Sequence, residues 1–137
     1  LAAGEGLLQL VLPVFRKGLG GRIGNGRQPF PWVHIQDLVR ALEQALSDPG
    51  MHGPVNVCAP QIITNAQFTK ALARAVHRPA VLPVPDFALR LRFGQLASML
   101  SKGQAVRPAV LEDRGFAFQH TDIDRALQEI TARDHNA

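Results

Sequence analysis

The chain has 137 residues, with 15 Lys+Arg against 11 Asp+Glu for a net charge of +4 when histidines are neutral, and 46% of it is hydrophobic. That length suits one ordinary domain, and a charged fraction of 19% among evenly spread apolar residues excludes intrinsic disorder. No apolar run approaches the roughly 18 residues of a membrane-spanning helix, and a single cysteine, Cys58, excludes an internal disulfide.

Neither a signal-peptide pattern nor a CxxC pair occurs, so the expected compartment is the cytoplasm. The chain opens on Leu1 and enters almost at once on an apolar periodic segment, which predicts a piece of a longer protein.

In chain order, Leu7, Leu8, Val11, Val14 and Phe15 share one helical face, bracketed by glycines, and predict a buried helix. Pro13 inside this pattern predicts a kink or a later start. Residues 18–28, GLGGRIGNGRQ, carry five glycines without helical period and predict a tightly turning loop. Phe30 to Ile35 reads as a short strand. Ile35, Leu38, Val39, Leu42, Ala45 and Leu46 then form an amphipathic helix that stops near Asp48-Pro49-Gly50.

Pro54 to Ala59, PVNVCA, reads as a buried strand, and Thr64 to His77 as a helix with Thr64 and Gln67 at capping-box spacing. This alternation predicts α/β architecture around a parallel sheet. From Arg78 the texture changes. Pro79, Pro83 and Pro85 punctuate an extended segment, two short helical patterns occupy Phe87 to Leu100, and Pro108 to Arg114 and Asp122 to Ile130 read as short helices around a small strand at Phe116 and Phe118. The expected division is 1–78 and 79–137.

Two clusters invite chemistry. In the glycine-rich loop, closely spaced glycines let backbone amides approach an anion, and Arg22 and Arg27 add charge, although neither GxGxxG between strand and helix nor GxxxxGK[ST] is spelled out. A plain surface loop is the competing reading. Trp32, His34 and Asp37 meet at a strand-to-helix junction, where open α/β sheets bind ligands. Against this, Asp37 suits the positive end of a helix, Trp32 suits a core, and His34 suits a satisfied buried hydrogen bond.

A hydrolase triad lacks its G-x-S-x-G elbow, and Cys58 within an apolar strand predicts an inert buried thiol. His34, His52, His77, His120 and His135 show neither HExxH nor paired spacing, so no metal site is expected. A charge of +4 without interleaved aromatics or a known reader motif makes nucleic acid an unexpected partner, and arginines beside glycines suit a small anion equally well.

Residues 18–42 and 53–80 resemble the C-terminal half of an extended short-chain dehydrogenase/reductase, specifically the YfcH-like epimerase family. Gly24-x-Gly26-x-Gln28 followed by Trp32-Val33-His34-Ile35-x-Asp37-Leu38 is similar to that family's G-x-G-x-Q…W-I-H-x-x-D-L stretch. Pro54-Val55-Asn56-Val57 and Thr64-Asn65-Ala66-x-Phe68 match its next strand and helix, and the remainder resembles its small C-terminal domain of unknown function.

The resemblance implies the C-terminal part of a Rossmann-type fold with a mostly helical C-terminal region. The cofactor it implies is NAD or NADP, whose principal binding loop lies in the family's N-terminal half, so no cofactor-binding residue is assigned in this chain. The family's Tyr-x-x-x-Lys pair has no counterpart, because the chain contains no tyrosine. No catalytic residue is therefore expected here, and this part alone is expected to be inactive.

By resemblance, Arg22, Gly24, Gly26, Arg27, Gln28, Trp32 and His34 line the substrate side of the cleft of an epimerase, dehydratase or reductase, facing an anionic substrate such as a nucleotide-sugar. The alternative is a non-catalytic module that holds an anionic ligand or nucleic acid. An unpaired sheet edge at Pro54 to Ala59 would also predict dimerisation or edge-strand association.

Overall fold

The structure is a computed structural model that describes residues 1–81, 83–84 and 103–135. The helical patterns expected within Phe87 to Leu100 lie outside the described residues.

Helix α1 (Gly6–Arg16) buries Leu8, Leu12 and Phe15 and turns Leu10 and Val14 outward. Pro13 lies within it on the exposed side, and the helix runs on for three more residues. The chain leaves α1 through Gly20, which lies flat on the Phe15 ring; a Cβ there would come within 2.5 Å of the ring carbons.

Strand β1 (Pro29–Phe30) pairs antiparallel with β2 (Ile63–Thr64), two residues each. Between them runs α2 (Ile35–Ser47). Helix α3 (Asn65–Ala75) follows β2 directly. Its Thr64 cap is the expected capping box: the Thr64 hydroxyl accepts from the Gln67 N–H, and the Gln67 side chain accepts from the Thr64 N–H at 2.7 Å. Past the expected 78/79 division come α4 (Ala109–Asp113) and α5 (Ile123–His135).

One core joins both sides of that division. Leu8 and Leu12 of α1, Trp32, Phe68 and Leu72 of α3, and Ile123, Leu127 and Ile130 of α5 pack together, with Phe30 stacked on Phe68 at 4.2 Å. Arg74 of α3 reaches Asp124 of α5 over the top of this contact. A smaller cluster of Ala41, Leu111 and Phe116 fastens α4 against α2, with Val55, Val57 and Phe118 around it.

Three expected strands take another form, the first being Phe30 to Ile35, of which only Phe30 lies in a strand while Ile35 already begins α2. Pro54 to Ala59 is extended but makes no ladder with another strand among the described residues; it is tied by the Ala59 N–H, which donates to the Trp32 carbonyl at 2.7 Å. Phe116 and Phe118 also lack a partner strand. Their rings meet edge to face at 4.7 Å, and Arg40 lies over Phe116 while donating to the Ala117 carbonyl. Side-chain contacts replace the ladder, because a strand exists only where a neighbour supplies hydrogen-bond partners.

The expected parallel sheet is not formed among the described residues, whose one named sheet is the antiparallel β1–β2 pair; parallel pairing is limited to isolated contacts. The Leu1 amino group donates to the Val33 carbonyl and the Ile35 N–H donates to the Leu1 carbonyl, the slanted pattern of a parallel pair. Trp32 to Ile35 is thus held by Leu1 and by Ala59.

The apolar positions of α2 do not all turn inward. Asp37 and Ala41 are its buried residues, whereas Ile35, Val39, Leu42 and Leu46 are 39%, 46%, 54% and 90% exposed. Their spacing of four, three and four makes one continuous stripe along the outer face.

Candidate functional site

The glycine-rich loop is pinned from three directions. Asn65, the first residue of α3 and almost fully buried, accepts from the Ile23 N–H through its side chain and donates its own N–H to the Gln28 carbonyl. The Ala66 N–H donates to the Gly26 carbonyl at 2.9 Å, and Val84 pairs in parallel with Ile23 by donating to the Arg22 carbonyl. Gly26 has φ +71°, and a Cβ there would stand 2.9 Å from the Ala66 Cβ, so only glycine fits both the left-handed backbone and the approach of α3.

This pinning engages the amides expected to meet an anion. The N–H groups of Ile23, Gly24, Gly26 and Arg27 donate to Asn65, Val84, Ile23 and Asn25 respectively. Loop carbonyls likewise occupy the first two N–H groups of α3. What the loop presents outward is side-chain charge, because Arg22 and Arg27 are both exposed. Gln28 is half-buried and donates inward to the Ile23 carbonyl.

Trp32 and His34 do not join this surface: they are 4% and 1% exposed. Trp32 belongs to the core, with its indole N–H buried and without an acceptor among the described residues. His34 caps α2, its Nδ1 accepting from the Gln36 N–H at 3.2 Å. Neutral imidazole with an acceptor Nδ1 carries its proton on Nε2.

Behind His34 lies a polar cluster that local sequence patterns do not reveal. The His120 ring stacks on His34 at 3.7 Å, with the two planes 14° apart. Asp37, fully buried, accepts from the N–H groups of Gln119 and His120 at 3.0 and 2.8 Å and from Arg40 at 3.1 Å. Glu129 of α5 lies 3.3 Å from His120 Nε2.

Burial alone would push the Asp37 carboxyl up, but the two backbone N–H donors, with His120 and Arg40, hold it below the usual carboxylate range. Burial pushes the His34 imidazole down, and the neighbouring His120 adds to the effect. Burial, with Glu112 nearby, raises the Cys58 thiol, as suits an inert thiol.

His34, His120 and Glu129 offer ligand atoms within 4.8 Å of one another. The donor set nevertheless does not suit a metal ion. The only acceptor nitrogen of neutral His34 is already capping α2, and stacked rings keep their lone pairs in nearly parallel planes, whereas zinc bonds of about 2.0–2.1 Å require them to converge.

Asn65, Asp37 and His120 are thus the residues that organise the region. The capping-box pattern around Thr64 points to the place of Asn65. Nothing in the sequence announces that His120 meets His34, since 86 positions separate them.

Comparison with known proteins adds the following. Residues 84–130 match the family described as "Domain of unknown function (DUF1731)". Epimerase family protein Mb2239 of Mycobacterium bovis is 44% identical over 134 residues, which is 97% of this chain and 44% of that protein. The crystal structure of human epimerase family protein SDR39U1 (isoform 2) with NADPH superposes on all of this chain and 46% of that one, with TM-score 0.90 and 38% identity. A nucleoside-diphosphate sugar epimerase from Corynebacterium glutamicum matches 99% of this chain and 27% of its own, with TM-score 0.69 and 28% identity. The chain spans about half the length of the curated relatives it matches.

Proposed function

We propose that this chain, which belongs to the epimerase family, supplies the substrate-facing part of an NAD(P)-dependent, epimerase- or dehydratase-like oxidoreductase and is not catalytically competent by itself. The observation that carries this reading is the superposition of the whole chain on part of a relative whose crystal structure holds NADPH. On this reading the cofactor is held mainly by a part of the fold that these 137 residues do not include. The Tyr-x-x-x-Lys pair implied by the resemblance belongs to that part too, since the chain has no tyrosine.

In this chain the role of the loop is to bind and orient. Arg22 and Arg27 project from a backbone that Asn65, Ala66 and Val84 hold in place, so their guanidinium groups are offered to an anion from a fixed base. The substrate class we assign is a nucleoside-diphosphate sugar, whose diphosphate matches two forked donors. Gly24 keeps the loop surface low, Gly26 lets α3 approach it, and Gln28 braces it from beneath by donating to the Ile23 carbonyl. Val84 braces the loop at Ile23, and the compartment we assign is the cytoplasm.

The exposed α2 stripe supports the two-part reading. Fully burying an aliphatic side chain is worth about 1.5–3 kcal/mol, so four in a row along one helix form a face suited to packing. Association would run through this face and not through a strand edge at Pro54 to Ala59.

Calorimetry with UDP-glucose tests the assignment, on a chimera that joins this chain to the remaining part of the human relative. Replacing both arginines, R22A with R27A, is expected to weaken UDP-glucose binding at least about tenfold, the loss of roughly one charge-assisted contact. Unchanged affinity would discard the arginine clamp, and polynucleotide binding of steep salt dependence in its place would favour the non-catalytic module.

A further inference from the structure

We propose that the stacked pair His34 and His120 is an acid-sensitive latch: it fastens the 116–122 segment to the start of α2 while His34 is neutral, and it loosens when His34 takes up a proton.

The geometry dictates the direction. His34 Nδ1 holds the Gln36 N–H, and a protonated imidazole has two donors and no acceptor, so the same proton that charges His34 removes the cap. The new charge would sit at the positive end of the α2 dipole, in a side chain 1% exposed. It would also lie against the His120 ring, 3.7 Å away, whose Nδ1 lies 3.5 Å from the Asp37 carboxylate without making a hydrogen bond among the described residues.

Charged groups face the pair from every element packed on it. From the chain start comes the Leu1 amino group; from α2, Asp37 and Arg40; from α5, Glu129 with Arg133 paired to it. Glu129 and Asp37 favour a proton on His34, but burial, His120 and the amino group oppose it, and the balance lowers the imidazole below its ordinary value.

The consequence reaches beyond one ring. The first turn of α2 carries Ile35 at the head of the exposed apolar stripe and Asp37, which accepts from the backbone of Gln119 and His120. Uncapping that turn therefore loosens the hold of α2 on the 116–122 segment at the same moment as it disturbs the outer face of the helix.

Amide hydrogen exchange and histidine ring titration by NMR on the 137-residue chain test the latch, at about pH 7.5 and at a pH below the His34 midpoint that the ring titration gives. After correction for the intrinsic pH dependence of exchange, protection at Gln36, Gln119 and His120 is expected to fall about fivefold in acid, the ordinary size of losing an N-cap acceptor. H34N keeps a capping oxygen that does not titrate, and is expected to hold its protection at both pH values. Equal acid loss in the parent chain and H34N would overturn the latch, as would a His34 ring that titrates at or above the ordinary value. H120F, which keeps an aromatic stack without the second imidazole, decides the matter should H34N not fold: the His34 titration is expected to move upward, and an unmoved midpoint would overturn the proposal.

Discussion

At the scale of single residues, Asp37 is the strongest fixed point of the polar cluster. Its two carboxylate oxygens take the backbone N–H groups of Gln119 and His120, and the side chain is fully buried. D37N presents an amide donor to one of those N–H groups and leaves it unpaired, so a loss of about 3 kcal/mol is expected from urea unfolding at neutral pH. A loss under about 0.5 kcal/mol would mean that the turn is held by other contacts. G26A adds the left-handed cost of a Cβ to the contact with Ala66, and a loss of about 1–2 kcal/mol is expected by the same measurement.

Titration gives these residues separate pH windows. His34 is lowered in the folded chain, so the unfolded chain binds more protons and stability falls as pH drops from about 6.5 toward the lowered folded value. The Asp37 contribution is complete above about 3.9, the unfolded value, and is lost as pH falls further through the depressed folded one. Urea midpoints measured across this range should show both declines, with H34N removing the upper one and D37N the lower. A single decline untouched by either variant would contradict the assignment.

At the scale of elements, packing outweighs surface charge between α3 and α5. Leu127 is fully buried between them, and L127A is expected to cost about 2–5 kcal/mol. The Arg74 and Asp124 side chains are 59% and 38% exposed, so R74A is expected to cost under about 1 kcal/mol in thermal or urea unfolding. The reverse order would mean that the ion pair and not the core joins these helices.

Elements with local signals were the legible ones. Thr64 and Gln67 announce α3, and the period of apolar residues with the stop at Asp48-Pro49-Gly50 announces α2. Pro54 to Ala59 was legible only in part, since its residues favour an extended chain but its ladder depends on neighbours that no local pattern specifies. The outward face of α2 was hidden for a related reason: periodicity gives an apolar stripe, not the surface that covers it. In the loop, the glycines were legible as a tight turn, whereas the engagement of their amides by Asn65 and Val84 comes from residues about 40 and 60 positions away.

At the scale of the whole molecule, one core draws on α1, the Trp32 segment, α3 and α5, so the fold is held by contacts that cross the expected 78/79 division. That core places the loop on one side and the exposed α2 face on another. Under the proposed function the chain is a braced binding surface whose chemistry is completed by a second part of the fold. The α2 face gives an independent expectation. V39D with L42D should leave the stability of the isolated chain within about 0.5 kcal/mol, since both side chains are about half exposed. The same pair should weaken the chimera with the remaining part of the human relative, as read by its thermal unfolding. Equal effects in both would show that the stripe is not a packing face.

The proposed function turns on where the nucleotide binds. Calorimetric titration of NADPH into this chain alone and into the same chimera tests it most directly. No binding to the chain alone and saturable binding to the chimera are expected. Binding of NADPH by the 137 residues alone, or a cooperatively folded chimera that does not bind it, would contradict the account.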